Sequence, residues 1–233
     1  MSNKIPRVPV REQNPRVRAT TFDEVCYVYD LNEAQLEASR CLNCKKPQCM
    51  AHCPFSIKIP NFITKVLAGD LAVAAAVIAE DSSLPSVCGR VCPQEAQCEG
   101  ACVLGIKGEP VAIGKRERFV GDWELEHGSS QRAAVASNGH KVAVIGSGPS
   151  GLACAGELAA MGYQVKIFEA LHKAGGVPGY GIPEFRLPKE KGVAYEIDNV
   201  RMVGVEIETN GIVGRTVTIG SRMDQDGYEA VVY

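Results

Sequence analysis

Eight of the ten cysteines in this 233-residue chain crowd between Cys41 and Cys102. They fall into two cassettes. The first is Cys41-x2-Cys44-x4-Cys49-x3-Cys53-Pro54, and the second is Cys88-x3-Cys92-Pro93-x4-Cys98-x3-Cys102. So many thiols in one short stretch must be crosslinked, bound to metal or redox active.

The rest of the chain argues against crosslinks. The N-terminus, Met1-Ser2-Asn3-Lys4-Ile5-Pro6, lacks the apolar core of a secretory signal, and thiols stay reduced in the cytosol. A cytoplasmic location is therefore expected. No 18-residue apolar run offers a membrane span. The formal net charge of −2 creates no field that would draw nucleic acid or an anionic membrane. The basic bias is local: Lys4, Arg7, Arg11, Arg16 and Arg18 read as a solvated N-terminal arm, with a docking arm for a partner as the alternative.

That leaves metal. The Cys-Pro ending resembles the iron–sulfur run of bacterial ferredoxins, although four residues separate Cys44 from Cys49 where the ferredoxin run has two. Zinc is the competing metal. It favours paired Cys-x2–4-Cys knuckles, and the spacing series here fits no regular pair. Eight cysteines suggest two four-iron clusters. In two-cluster ferredoxins the cysteine before proline serves the other cluster. By that logic Cys41, Cys44 and Cys49 hold one and Cys53 belongs to the second.

Around the cassettes the pattern is helical. Residues 1–30 look extended, interrupted by Pro6, Pro9 and Pro15. Asn32 and Gln35 form a capping-box-like pair, with Leu31 and Leu36 as the staple, opening a helix that runs to about Arg40 and delivers Cys41. Phe62, Ile63, Val66 and Leu67 make an apolar stripe ended by Gly69. Asp70 caps an Ala-rich helix over 71–78, and the resulting hairpin is expected to shield the metal site. Residues 111–126 form a third helical stretch, and 127–140 read as a linker.

From Lys141 the texture becomes α/β. The strand Lys141–Ile145 runs into Gly146-Ser147-Gly148-Pro149-Ser150-Gly151 and then a helix. A second strand, Gln164–Phe168, ends at Glu169. A GxGxxG between strand and helix, followed by an acid, is the dinucleotide fingerprint. Gly146 allows the turn, Gly148 lets a pyrophosphate approach the helix start, and Gly151 lets helix and strand pack. Glu169 is expected to accept from an adenosine ribose and to disfavour a 2′-phosphate, leaving NAD or FAD. Gly175 and Gly176 allow close backbone approach to a flavin, and Gly179–Pro183 reads as a flexible loop. Arg186 and Lys189 are either surface charges or face the cofactor. Cys154 reads as a small core residue. Further strands are expected at 203–208, 216–219 and 229–232.

Taken together, the cassettes, Cys88-Gly-Arg-Val-Cys92-Pro93, Cys98-Glu-Gly-Ala-Cys102, Val111-Ala-Ile-Gly114, the Gly146 loop and Gly181-Ile-Pro-Glu-Phe-Arg-Leu-Pro188 resemble the small (β) subunit of NADPH-dependent glutamate synthase. They equally resemble the large subunit of NADH-dependent ferredoxin:NADP oxidoreductase, and the N-terminal part of dihydropyrimidine dehydrogenase is similar. The resemblance implies a multidomain chain: a helical ferredoxin-like domain with two [4Fe-4S] clusters over 1–135, then the start of a Rossmann-type FAD domain over 136–233. It implies electron flow between NADPH, FAD, two clusters and a partner. That partner is the large (α) subunit of glutamate synthase, which makes glutamate from glutamine and 2-oxoglutarate, or the small subunit of a ferredoxin:NADP oxidoreductase. It also implies ligands. Cys41, Cys44, Cys49 and Cys102 would hold one cluster. Cys53, Cys92, Cys98 and Glu117 would hold the other, with Cys88 not a ligand, although cysteine counting alone selects Cys88. The cofactor set is Gly146, Gly148, Pro149, Ser150, Gly151, Glu169, Gly175, Gly176 and Arg186, and no side chain need act as acid or base. A non-catalytic or zinc-stabilised partner-binding module is the reading from another class.

The family's FAD domain extends beyond the strand at 229–232, and its NADPH domain follows. The chain is thus expected to be an N-terminal portion of that architecture, its cluster domain folding alone, FAD held weakly, and NADPH not oxidised.

Overall fold

The computed structural model describes residues 5–128 and 135–233. The chain divides into two compact units, Met1–Ser130 with Glu184–Pro188, and Gln131–Pro183 with Lys189–Tyr233.

The first unit is helical. Its N-terminal arm is not a free solvated strand. It contains one helical turn, α1 (Pro15–Arg18), started by Pro15 at N1 and capped by Asn14, and it doubles back so that Glu12 pairs antiparallel with Cys26. Three of its arginines are tied down: Arg7 to Glu99 at 2.6 Å, Arg11 to Glu33 at 2.9 Å and Arg18 to Glu12 at 2.9 Å.

Helix α2 (Leu31–Ala38) begins two residues earlier than its sequence suggests. Asp30 is the N-cap and Glu33 completes a reciprocal capping box, because an aspartate directly ahead of the apolar positions outcompetes Asn32 for the first-turn N–H groups. Leu31 and Leu36 are exposed, so they form no staple; the residues flanking the cap, Tyr29 and Ala34, are the buried ones. Gln35 instead donates to the Leu67 carbonyl. The helix stops at Ala38, and the N–H of Cys41 bonds the Ala38 carbonyl.

After the turn α3 (Gln48–Ala51), the hairpin α4 (Ile59–Ala68) and α5 (Leu71–Ala79) forms as patterned. Gly69 closes α4 in the left-handed conformation, φ 82°, which favours glycine. Asp70 makes no side-chain cap bond. Phe62, Ile63 and Val66 are buried, whereas Leu67 faces out. Helices α6 (Pro85–Val91) and α7 (Ile113–His127) pack tightly. An added Cβ at Gly89 would lie 2.4 Å from the Arg118 amide nitrogen, and one at Gly121 would lie 3.0 Å from Ser86 Cα. Arg90 locks the pair with a bidentate bond to Asp122, at 2.6 and 2.9 Å, and a third to Glu24 at 2.8 Å.

The second unit is a four-stranded parallel sheet, order β3-β2-β1-β4, from β1 (Lys141–Ile145), β2 (Gln164–Phe168), β3 (Glu206–Glu208) and β4 (Ala230–Val232). Helix α8 (Pro149–Ala160) crosses from β1 to β2. The turn α9 (Val177–Tyr180) and helix α10 (Ala194–Met202) precede β3. The stretch 216–219 is not a strand. Val217 makes only a single bridge to Val213, and α11 (Ile219–Asp226) follows. The reason is topological: β4 lies parallel to β1, and parallel strands need a crossover that a further short strand cannot supply. Cys154 sits half-buried on α8 rather than in the core. Part of the expected linker, 129–134, lies outside the described residues.

Candidate functional site

In the first unit, one pocket collects thiols from both cassettes. Cys41, Cys44, Cys49 and Cys102 line it, with Ile59, Pro60 and Ile63 of α4 and Val111 and Ile113 at the start of α7 as its apolar wall. Helix α4 thus walls one side of the site, and the last cysteine of the second cassette returns to the first. Burial pushes the Cys41 thiol up, and the Cys49 thiol up to about 11. Both are protonated at neutral pH as free thiols, so metal uptake there must release protons.

Beside this pocket, Cys98 is buried, and burial is the main reason its thiol pKa rises; Glu117 on α7 and Cys53 lie near enough to push it further. Glu117 is itself buried. Cys92, which ends α6, is held at about 7 by a hydrogen bond from the Cys88 thiol, against the opposing effect of burial. Cys88 therefore sits one helical turn behind Cys92, as a hydrogen-bond partner. Among the described residues, no three His, Cys, Asp or Glu side chains converge closely enough for a single metal ion.

In the second unit, the Gly146–Gly151 turn follows the C-terminal end of β1, the strand flanked by β2 on one side and β4 on the other. That is the switch point at which open parallel sheets bind ligands. Gly151 is obligatory, since its Cβ would lie 2.0 Å from the Gly146 carbonyl oxygen. A Cβ at Gly146 or Gly148 would meet nothing within 4 Å, which leaves a bare cradle over the start of α8. No side chain caps that helix, and its first-turn N–H groups at Ser150 and Gly151 suit a phosphate. Pro149, at N1, brings no N–H to the turn.

Glu169 is only 6% exposed and spends itself on the loop. It accepts from the Ser147 N–H at 2.8 Å, from the Ser147 hydroxyl, and from the Leu171 N–H at 2.8 Å. Burial alone would raise its carboxyl, but these bonds hold it below the ordinary carboxylate range. Ser147 Oγ also accepts from the Gly175 N–H at 2.9 Å, and a Cβ at Gly176 would lie 2.8 Å from Gly148 Cα. The two glycine pairs are therefore one structure, joined through Ser147. Nothing in the residue order points to Ser147, because any small residue satisfies that place in the fingerprint. The 179–183 segment is not a loose loop: Tyr180 ends α9, and its hydroxyl accepts from the Lys173 N–H at 2.9 Å. Arg186 lies in the first unit, in a pocket with Arg18, Cys26, Arg90, Lys115 and Arg118.

The thiol-lined helical unit and the glycine turn of the parallel sheet correspond to an iron–sulfur domain and a dinucleotide-binding domain. Residues 18–129 match the family model for dihydropyrimidine dehydrogenase domain II, 4Fe-4S cluster, and residues 144–188 match the NAD(P)-binding Rossmann-like domain. The match to a 4Fe-4S domain over both cysteine cassettes fits two [4Fe-4S] clusters. The chain is similar to the NADPH-dependent glutamate synthase small chain. It is 35% identical to that protein of Escherichia coli (strain K12) over 226 residues, covering 97% of this chain and 47% of the relative. It is also 35% identical to that of Azospirillum brasilense over 204 residues, 87% of this chain and 42% of the relative. The NAD-dependent dihydropyrimidine dehydrogenase subunit PreT of E. coli K12 is 37% identical over 198 residues, 85% and 48% of the two chains. The chain spans about half the length of these relatives or less. Among its described residues no helix is long and apolar enough to cross a membrane.

Proposed function

We propose that this chain is the electron-input part of a glutamate synthase, passing electrons from NADPH towards a large (α) subunit that converts glutamine and 2-oxoglutarate to glutamate. The carrying observation is the pocket in which Cys102 joins Cys41, Cys44 and Cys49. Simple cysteine order would not pair Cys102 with the first cassette, and it is the set the family resemblance implies. In this reading those four hold one [4Fe-4S] cluster, and Cys53, Cys92, Cys98 and Glu117 hold the second. Cys88 stays outside, its thiol directed at Cys92.

The dinucleotide at Gly146–Gly151 is FAD. Its pyrophosphate would rest on the Ser150 and Gly151 N–H groups, and Glu169 would brace that turn through Ser147. When bound, the flavin supplies exchange between two-electron hydride chemistry and the one-electron chemistry of the clusters. The chain's own residues bind, orient and exclude water. NADPH would be held by a part of the protein outside these residues, and the setting is the cytoplasm, where the thiols stay reduced.

Anaerobic purification tests the reading. Iron and acid-labile sulfide should each approach about eight per chain, extraction should yield FAD, and a glutamate synthase large subunit should co-purify. Recovery of NAD alone, or a colourless zinc protein, would overturn it. Co-purification with a ferredoxin:NADP oxidoreductase small subunit would replace the partner.

A further inference from the structure

Arg116 has the largest fully buried side chain in the protein's described core, and its Nε, Nη1 and Nη2 have no hydrogen-bond partner. A buried charge without partners is among the most costly features a fold can keep, so its surroundings need an account. The ionisable groups that act on it are Glu37 of α2, Glu99, Tyr29 and Cys41.

The two carboxylates are already committed. Glu37 accepts from Arg40 at 2.6 Å, from the Val8 N–H at 2.7 Å and from the Ala112 N–H at 2.9 Å. Glu99 accepts from Arg7 at 2.6 Å and from the Gly114 N–H at 3.0 Å. Tyr29 is a neutral phenol that donates to the Val8 carbonyl at 2.7 Å. Three guanidinium groups, Arg7, Arg40 and Arg116, therefore share two carboxylates, and one positive charge is left over. The remaining neighbour, Cys41, stands in the wall of the four-cysteine pocket.

We propose that Arg116 is the built-in counter-charge of the cluster held by Cys41, Cys44, Cys49 and Cys102, and that it sets that cluster's reduction potential. A four-iron core ligated by four thiolates is anionic and becomes more so on reduction. A fixed cation in low-dielectric surroundings favours the more negative state and raises the potential. Arg116 is a positioning charge and ligates nothing. This inference rests on the ligand assignment above.

The test is Arg116→Met in the full chain, purified anaerobically, with iron and sulfide measured before each cluster's midpoint is titrated by EPR. Metal content should stay at the parent level. One midpoint should fall by at least a tenfold change in the one-electron equilibrium, about 59 mV, while the other stays in place. Arg116→Lys, which keeps the charge, should recover most of the shift. Two unmoved midpoints in a fully loaded Arg116→Met protein overturn the proposal. Cys41→Ala, run alongside, separates the failures: if it keeps both clusters, the ligand assignment falls whatever Arg116 does. Should neither Arg116 variant accumulate folded, pulsed EPR of the unmutated protein grown on arginine labelled with heavy nitrogen decides. Coupling of arginine nitrogen to a reduced cluster supports the proposal, and its absence overturns it.

Discussion

Glu37 offers a direct trial of how the helical unit is held together. Its side chain is fully buried, and one carboxylate serves three elements: the arm at Val8, Arg40 just past α2, and Ala112 at the entry to α7. In Glu37→Ala, two buried N–H groups lose their acceptor, at about 1–3 kcal/mol each. A buried ion pair is also broken from one side, at about 3–5 kcal/mol. These losses overlap, and about 5 kcal/mol is a reasonable net, which matches the lower end of a whole domain's stability. Glu37→Gln keeps the shape and an acceptor oxygen and should cost about 2–3 kcal/mol. Urea unfolding followed by circular dichroism, with amide exchange at Val8 and Ala112 as the local probe, would read both. The Ala variant should be largely unfolded without metal, and the Gln variant should fold with a lowered midpoint. An Ala variant within about 1 kcal/mol of the parent, its Ala112 amide still protected, would refute the reasoning.

The remaining predictions follow from single contacts. Cys88→Ala should keep both clusters, whereas Glu117→Ala should change the EPR signature of one; the reverse outcome defeats the ligand assignment. Gly151→Ala, whose new Cβ would meet the Gly146 carbonyl oxygen at 2.0 Å, should abolish dinucleotide retention in an equilibrium dialysis assay while leaving iron content intact. Burial, helped by Glu37, raises Tyr29 to about 12 in the folded state, above its ordinary value of about 10. Folding therefore favours the protonated phenol. The corresponding stability is fully present below pH ~10 and is lost as pH rises through about 12. Alkaline titration of unfolding should show this loss, about 2–3 kcal/mol, and Tyr29→Phe should lack it.

The residue order discloses the chemistry more fully than the geometry. Cysteine spacing and the glycine fingerprint are local signals, and the elements that carry them stand close to where they are expected. What cysteine order and local pattern alone leave hidden depends on chain return. Cys102 shares a pocket with Cys41 only because the α4–α5 hairpin and the α6–α7 pair bring the second cassette back. Arg116 reads as one charge in a basic run, Lys115-Arg116-Glu117-Arg118, until α7 turns it inward. Asp30 beats Asn32 as N-cap by two residues, a choice too fine for a pattern. Val217 and its neighbours have strand-like composition, but the parallel connection to β4 calls for a helix there. Glu169 was legible as the acid of the fingerprint, yet its bonds to Ser147 and Leu171 are tertiary facts.

The glycine-filled seam between α6 and α7 has a consequence for electron transfer itself. Gly89 sits against the Arg118 backbone and Gly121 against Ser86, closer than side chains would allow. Cys92 ends one of these helices and Glu117 rides on the other. Helices meeting backbone to backbone have no side-chain layer to deform, so Cys92 and Glu117, holding the second cluster as proposed, would keep their separation as charge arrived and left. Little energy would then be spent on rearranging the frame at each step. In that reading, a joint of this stiffness would let a relay accept and release single electrons repeatedly with the same geometry.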